Sequence, residues 1–445
     1  MTTFPPTKTF PVHSWYQYQT LGFEPEFVSK MLSRFDAQEG QNVLDPFCGS
    51  GTTLVQCMAQ GIYSYGIEAH PFMKWVSTVK TSTPHYFDLI KGTSGFLDPF
   101  IRSILDTYYS ENKKLAYGPF HYANSLYCDT KKNLVIKDSI NDASAESVLR
   151  LSKAIWKTSY EPQFNKDSFL LRNLAFLALA KTIRDVSNLV EKPEVTVDRR
   201  KLNQIHNVPA NWNYHIQSMK MDLLDIYNYR THYDPDVFSL PKVTQYSSVK
   251  DLCFNHPVIS FVITSPPYLC EKDYTRQTRL ESVLLNFLDK EGLQRLKQEL
   301  VISNSKSFSG DNNVWPTLEI FVTPEIKQIA NEIELTRSNL NKRDGFSRRY
   351  PDVVLGYFEQ MGSHLANLRS SLSHGAKLAY VLGDQASYFG IPIYTASLLA
   401  PIAESLGYGV DGIEVKQKRK SFSKIKDQQI DINENILFLT CLGQR

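Results

Sequence analysis

The sequence lacks the features of a membrane or secreted protein. It has no run of 18 or more apolar residues, the length that a helix needs to cross a bilayer, and no basic start followed by an apolar stretch. Its six cysteines are scattered without a CxxC pair, which argues against both a structural zinc site and a disulfide framework. We therefore predict a cytoplasmic protein with no metal and no membrane partner.

The chain also has little net charge. Its 49 Lys and Arg residues face 46 Asp and Glu residues, giving +3, so the overall balance does not indicate a polyanionic partner. The clearest local excess is KQKRKSFSKIK (416–426), which includes Lys418, Arg419 and Lys420 and has no acid. A solvated loop or strand edge explains this segment about as well as a nucleic-acid surface does.

The apolar pattern predicts an α/β fold with a doubly wound, mostly parallel sheet. NVLD (42–45) and YSYGIE (63–68) are typical of buried strands, and the helix-like TLVQCMAQG between them makes a βαβ unit. VISFVIT (258–264) is typical of a central strand buried on both faces. The remaining pattern predicts helices over 168–189, 279–300, 324–341, 353–373 and 394–407, and strands over 376–384, near 410–417 and over 435–440.

Composition divides the chain of 445 residues into two parts. Residues 1–90 and 241–445 carry the strand patterns, and we predict that they form one catalytic domain. Residues 91–240 carry helical patterns separated by polar stretches, and we predict a largely helical inserted lobe that recognises the target.

A glycine-rich turn follows the first strand. In DPFCGSG, Gly49 and Gly51 stand where a side chain would block a ligand from the backbone. Glu68 lies 23 residues after Asp45, close to the spacing of about 20 at which an acid reaches ribose hydroxyls. The turn lacks both the full GxGxxG and the GK[ST] of phosphate sites, so a nucleoside without a phosphate chain fits better than a nucleotide. Taken alone, an ordinary tight turn is the alternative.

Two motifs together carry a family resemblance. DPFCGSGTT resembles the cofactor motif of the nucleic-acid amino-methyltransferases, and TSPPY (264–268) resembles their catalytic motif. DYTRQTRLES (273–282) is similar to the segment that follows SPPY in DNA methylases of restriction–modification type. The resemblance covers roughly 10–85 and 240–440. It implies a class I, Rossmann-like methyltransferase fold and S-adenosyl-L-methionine as the cofactor.

The resemblance also implies a set of cofactor-binding residues. The glycine-rich turn would hold the methionine part, and Glu68 would hold the ribose hydroxyls. Family members usually place an acid against the adenine amino group, but Ser248 stands where we align that acid, and Asp251 or a Ser hydroxyl is the substitute we expect. The full set is Asp45, Pro46, Phe47, Cys48, Gly49, Ser50, Gly51, Thr52, Glu68 and Ser248.

The catalytic prediction concerns Ser265, Pro266, Pro267 and Tyr268, which follow the central strand. An exocyclic amine is a poor nucleophile because its lone pair is delocalised, so acceptors must hold the nitrogen in line with the methyl group. The Ser265 hydroxyl and the Pro266 carbonyl can do this, while the prolines stiffen the loop and Tyr268 offers a face to a flipped base. A plain turn after a strand is the alternative for Pro-Pro-Tyr alone.

The leading Ser of SPPY favours N4 of cytosine over N6 of adenine, since SPPY is commoner with cytosine in the enzymes that it resembles. A carbon-5 cytosine methylase needs a Pro-Cys nucleophile, and the chain contains no Pro-Cys dipeptide. Double-stranded DNA is the predicted partner, with a cognate restriction nuclease or a defence-system subunit as a further one. The alternatives are an RNA or tRNA base methyltransferase and a catalytically silent DNA-binding subunit.

Several polar residues are candidates for nucleic-acid contact, each with a structural alternative. Those after the catalytic loop could contact the target strand, although Asp273 could equally cap a helix. Those in the insertion could belong to an ordinary solvated charge run. The candidates are Asp273, Tyr274, Arg276, Arg199, Arg200, Lys418, Arg419 and Lys420.

Two aromatic groups leave similar alternatives. His13, Trp15 and Tyr16 would close over the cofactor or anchor the N-terminal arm. His206 and His215 could contact DNA or pack against the lobe, and packing is the favoured alternative.

Overall fold

The computed structural model describes residues 9–16, 22–90, 95–116, 126–191, 195–233, 239–249, 258–269, 272–308, 319–425 and 428–443. Within these ranges, seven strands form one sheet in the order β5-β2-β1-β6-β7-β9-β8. They are β1 Asn42–Asp45, β2 Tyr63–Glu68, β5 Lys242–Gln245, β6 Ile259–Thr264, β7 Leu372–Gly383, β8 Tyr408–Ile425 and β9 Gln428–Cys441. The first five strands in that order are mutually parallel, and β9 is antiparallel to both of its neighbours. The predicted mostly parallel α/β sheet is confirmed.

Helices cover both faces of this sheet. Alternate strand residues enter separate cores, so that Leu378 packs with α13, α14 and α15 while its neighbour Ala379 packs with α1 and α2. We call residues 1–90 and 241–445 the catalytic part, after the prediction made for them. Their helices are α1 Pro25–Arg34, α2 Thr52–Ala59, α3 Pro71–Thr81, α4 Phe87–Ile90, α10 Tyr274–Gln277, α11 Arg279–Leu284, α12 Lys290–Glu299, α13 Pro324–Asn339, α14 Tyr350–Leu368 and α15 Thr395–Ser405. The longer α-helices of the insertion are α5 Leu97–Ala116, α7 Asp142–Ser159, α8 Ser168–Asp185 and α9 Val208–Tyr233, alongside the short helix α6 Asp129–Lys132.

The parallel strands β1, β2, β6 and β7 end at one edge of the sheet, at Asp45, Glu68, Thr264 and Gly383. We call the loops that follow these four residues the carboxyl edge. In open α/β sheets, ligands bind at this edge, because the loops there diverge and leave a crevice.

The last two strands extend beyond the carboxyl edge. Gly383 at the end of β7 pairs with Glu434, but the pairing of β8 with β9 continues as far as Ile425 and Gln428. The predicted strands near 410–417 and over 435–440 were therefore too short. Their continuation, which is largely polar in sequence, forms a projecting hairpin whose strands are defined by backbone pairing.

One predicted helix is divided in two. The pattern over 279–300 is continuous, but the structure ends α11 at Leu284 and begins α12 at Lys290. Asn286 between them adopts a positive φ of 61°. A left-handed residue cannot continue a right-handed helix, so the periodic pattern spans a turn.

The insertion shares its core with the catalytic part. Phe72 and Val76 of α3 lie in the same apolar cluster as residues of α5, α7, α8 and α9, and β3 Leu189–Glu191 pairs with β4 Val195–Val197 beside it. Arg184 of α8 pairs with Glu281 of α11 at 2.7 Å. The lobe is thus packed directly against the catalytic part.

The N-terminal aromatic residues act as anchors. Trp15 donates from Nε1 to Asp222 of α9 at 2.9 Å, and the Tyr16 hydroxyl donates to Glu281 at 3.1 Å. His13 is buried and bonds Gln56 at 3.0 Å. Of the two alternatives for these residues, packing of the arm on the core is the one the structure shows.

The insertion histidine at 215 also packs within the structure. His215 is buried and lies 2.6 Å from Asp185 of α8.

Candidate functional site

The glycine-rich turn lies between β1 and α2 at the carboxyl edge. Gly49 and Gly51 both adopt left-handed backbone conformations, with φ of 50° and 83°. A Cβ on Gly51 would lie 3.0 Å from Cβ of Ser77, so α3 also restricts this position to glycine. The turn therefore brings its backbone close to the cavity beside it without an intervening side chain.

Asp45 joins the ends of two strands. Its buried carboxylate accepts from the Thr264 hydroxyl at 2.7 Å and from the Phe47 amide at 3.1 Å. Burial raises the pKa of Asp45 to about 6, although these hydrogen bonds act in the opposite direction. The carboxylate thus fixes the glycine-rich turn of β1 to the start of the SPPY loop after β6.

Glu68 holds the same turn from the β2 side. One carboxylate oxygen accepts from the Gly49 amide at 2.8 Å, and the other accepts from the His70 amide at 2.7 Å. Burial raises the pKa of Glu68 to about 7. Each oxygen keeps a lone pair for a further donor, such as a ribose hydroxyl.

Ser248 lies buried at the opposite wall of the cavity. Its hydroxyl has no hydrogen-bond partner among the described residues. Its carbonyl lies 3.0 Å from Nδ1 of His364, whose pKa is lowered to about 4 by burial. A neutral His364 that donates to this carbonyl must accept at Nε2 from the Tyr380 hydroxyl, 2.7 Å away. Asp251, the alternative for adenine contact, lies outside the described residues.

A single cavity brings most of the predicted residues together. The turn after β1, the end of β2, the segment after β5 and the SPPY loop line it from different sides. Among the predicted residues, those that line it are Asp45, Pro46, Phe47, Cys48, Gly49, Ser50, Thr52, Glu68, Ser248, Ser265, Pro266, Pro267, Tyr268, Tyr274 and Arg419. Gly51 is not among them; it begins α2 behind the turn.

The SPPY loop is held by hydrogen bonds on both sides of Tyr268. Its backbone amide donates to the Tyr274 hydroxyl at 2.8 Å, and its own hydroxyl donates to Glu434 at 2.8 Å. The Ser265 hydroxyl lies 3.4 Å from the Tyr268 hydroxyl. Tyr274, predicted as a nucleic-acid contact, therefore supports the SPPY loop.

Sequence reasoning missed Glu434. This carboxylate is 2% exposed, lines the cavity, and pairs with Lys416 and with Arg419, the latter at 2.7 Å. It stands 166 residues from Tyr268, and no motif marks it. The nearest signal in the sequence was the basic run 416–426, because a buried acid requires such partners.

Other predicted nucleic-acid residues make structural contacts outside the cavity lining. Asp273 caps α10 through the Thr275 amide at 3.0 Å, which is the structural alternative named for it. Arg276 donates to the carbonyl of Val195 in β4 at 3.1 Å, and the exposed Arg200 pairs with Asp198 at 2.7 Å. Arg199 and Lys418 are exposed, and the side chain of Lys420 lies outside the described residues.

A second basic segment lies at the carboxyl edge and was not predicted. KRDGFSRR (342–349), the basic loop, directly precedes α14, which must begin at this edge because it leads back to the start of β7. The ring of Tyr350 packs against the ring of Tyr388, which lies in the loop after β7, with 4.5 Å between the ring centroids. Asp344 is engaged by the Ser347 amide at 2.8 Å. The exposed cations are Lys342, Arg343, Arg348 and Arg349.

Two other kinds of site do not occur in the described ranges. Their His, Cys, Asp and Glu residues form no group that could hold a metal ion. None of their helices is long and apolar enough to span a bilayer.

The sequence is similar to those of known proteins, and the similarity includes residues of this cavity. The DNA methylase family profile matches residues 21–77, which contain the glycine-rich turn and Glu68. The type II methyltransferase M.AvaI of Nostoc sp. is 25% identical over 433 residues, covering 93% of this chain and 82% of that protein. The chain is thus similar to DNA amino-methyltransferases of restriction–modification type.

Two further type II methyltransferases are similar to this chain. The type II methyltransferase M.BsoBI of Geobacillus stearothermophilus is 23% identical over 460 residues, covering 95% of this chain and 84% of that protein. M.MjaII of Methanocaldococcus jannaschii is 44% identical over 73 residues, or 16% of this chain. The DNA methylase family that these comparisons indicate implies the use of S-adenosylmethionine.

Proposed function

We propose that the protein is a site-specific DNA methyltransferase that moves a methyl group from S-adenosylmethionine to the exocyclic amine of a flipped base, with N4 of cytosine favoured over N6 of adenine. The observation that carries this proposal is the meeting of two intact loops, DPFCGSG and SPPY, in one cavity at the carboxyl edge. The Ser that begins SPPY supports the preference for cytosine.

The residues present fit the cofactor. The amides around Gly49 approach the cavity without a side chain, Glu68 offers lone pairs to ribose hydroxyls, and the unpartnered Ser248 hydroxyl is suited to the adenine. S-adenosylmethionine supplies a methyl group on a positively charged sulfur. Asp45 acts on the protein itself, since it fixes the turn to the catalytic loop.

Ser265 and Tyr268 would bind and orient the target base. The Ser265 hydroxyl and the Pro266 carbonyl accept hydrogen bonds from the amine, which orients its nitrogen toward the methyl group. Tyr268 provides an aromatic face for a base taken out of the duplex. The flipping step is required because a stacked base cannot reach a cavity at the end of the sheet.

Basic elements on two sides of the cavity would hold the duplex. The β8–β9 hairpin, with Lys418 and Arg419, projects past the carboxyl edge on one side. The basic loop lies at the same edge on the α14 side. Such cations bind phosphates independently of sequence, so we assign target recognition to the inserted lobe, which includes Arg199 and Arg200.

One experiment tests the proposal. The protein is incubated with labelled S-adenosylmethionine and a mixture of DNA and RNA, and the nucleic acids are digested to nucleosides. We expect label in N4-methylcytosine from DNA. Label in RNA only, or in neither, contradicts the proposed function, and label in N6-methyladenine corrects the base. A cognate restriction nuclease as partner is part of the same proposal and is tested by co-purification.

A further inference from the structure

We infer that Glu434 is a positioning residue for methyl transfer: its carboxylate, held by Lys416 and Arg419, fixes the Tyr268 ring against which the target base stacks. The inference rests on the proposed function, because it assigns Glu434 a role through the base-stacking residue of that reaction.

The Tyr268 ring is restrained from two directions. Its hydroxyl donates to Oε1 of Glu434 at 2.8 Å. A Cβ on Gly383 would lie 2.6 Å from Cδ2 of the ring, so the ring lies directly on the backbone at the end of β7. The hydrogen bond therefore restrains rotation of the ring, and the backbone at Gly383 packs against the ring itself. A stacking surface restrained in this way loses little conformational entropy when a base arrives.

The hairpin geometry explains why two cations reach one carboxylate. Val415 pairs with Asn435 and Gln417 pairs with Glu434, so Lys416 is the extra residue of a β-bulge. A bulge turns its extra side chain away from the regular alternation. As a consequence, both Lys416 and Arg419 contact Glu434. Arg419 reaches it from a position two residues beyond Gln417, the residue of β8 that pairs with Glu434.

The cations keep the carboxylate ionised in a buried place. Burial alone would raise the pKa of Glu434, but hydrogen bonds from Lys416 and Tyr268, with the charges of Lys416 and Arg419, lower it below its ordinary value. An ionised carboxylate is a stronger acceptor for the Tyr268 hydroxyl than a neutral acid. The pair of cations thus maintains the acceptor that holds the ring.

A double-mutant cycle tests this role. Turnover of DNA from a methylation-deficient host is measured for the wild type, Glu434→Gln, Tyr268→Phe and the double variant. We expect kcat to fall roughly tenfold in Glu434→Gln, and to change less than about twofold when the same substitution is made in the Tyr268→Phe background, because the hydroxyl it acts through is gone. The KM for DNA stays within about twofold. Equal losses in both backgrounds overturn the inference.

Further variants separate folding and function from this role. Lys416→Met weakens the acceptor without removing it, so a smaller kcat loss that again disappears with Tyr268→Phe supports the inference if Glu434→Gln fails to fold. Glu414→Gln, on the neighbouring strand β8 and paired with Arg34 at the surface, is the matched control and should leave kcat unchanged. A wild-type protein that labels no DNA overturns the proposed function together with this inference, whereas an active wild type with additive variants overturns the inference alone.

Discussion

The two halves of the cavity are built in different ways. We call the part of the cavity that we assign to S-adenosylmethionine the cofactor half, and the part that we assign to the target base the base half. The cofactor half comes from one βαβ unit, in which Asp45, the glycines and Glu68 lie within one short stretch of chain, and both carboxylates accept from backbone amides of the turn. The base half combines SPPY with Tyr274, Glu434 and Arg419, which come from separate parts of the fold. A local motif can therefore define the first half, whereas tertiary structure must assemble the second. Substitutions should separate cofactor binding from turnover along this division.

The largest effect is expected in the base half. Tyr268→Ala removes the stacking face, and base–aromatic stacking is worth about 1–3 kcal/mol, so turnover should fall by up to about 100-fold. Binding of S-adenosylmethionine, measured by calorimetry, should persist. Unchanged turnover would show that this ring is not the stacking platform.

A glycine substitution should affect the cofactor half alone. Gly51→Ala places a side chain at φ of 83° and 3.0 Å from Ser77, and such strain costs about 1–3 kcal/mol. We expect the Kd for S-adenosylmethionine to rise at least about tenfold, with kcat at saturating cofactor much less affected. Gly375→Ala is the control, because its φ of 77° is similar but nothing lies near its Cβ. It should lower the melting temperature only, and a cofactor defect in both variants would refute the local explanation.

The pH dependence of cofactor binding should depend on Glu68. Its pKa is raised to about 7, so the free protein carries a growing neutral fraction below pH 7, and a neutral acid is a weaker acceptor for ribose hydroxyls. Affinity should therefore rise between pH 6 and pH 8, by at most about tenfold. Glu68→Gln should bind more weakly and show a flatter profile over this range. An unchanged profile would mean that Glu68 does not hold the ribose.

The smallest effect concerns the surface around the base half. Arg343→Glu and Arg348→Glu should raise the KM for DNA a few-fold, and each removed phosphate contact should reduce the salt slope by about one. Lys30→Glu is the control, because Lys30 is exposed on α1 and lies away from the carboxyl edge. Its neighbour Ser29 bonds Gln60, which follows the end of α2. A variant pair that binds DNA with the wild-type salt dependence would exclude the basic loop from the DNA surface.

The fold could be predicted from the sequence where a short stretch of residues carries both the apolar pattern of a strand and the signal that ends it. The strands around 42–45, 63–68 and 258–264 were found because each is a short apolar run that ends in a polar loop. The β8–β9 hairpin was underestimated because the sequence of its outer part is largely polar, and an apolar pattern does not reveal backbone pairing there. The break at Asn286 was missed because helical periodicity continues across it.

The candidate site divides in the same way. The glycine-rich turn and SPPY are compact signals, so their residues could be named in advance. Asp273 illustrates the opposite case, because a polar residue beside a motif can cap a helix instead of binding a ligand, and the sequence does not distinguish the two roles. Glu434 could not be named, since its significance depends on a strand register and a β-bulge. Only the folded sheet brings it to Tyr268.

The buried contact between Arg184 and Glu281, which the Tyr16 hydroxyl also joins, limits how this protein can be recombined. A lobe transplanted from a relative would leave Glu281 buried without its cation unless an equivalent arginine came with it, and breaking such a pair costs about 3–5 kcal/mol. The N-terminal arm would have to match as well. Exchange of the inserted lobe between this protein and a relative should therefore succeed only when arm, lobe and α11 are inherited as one unit.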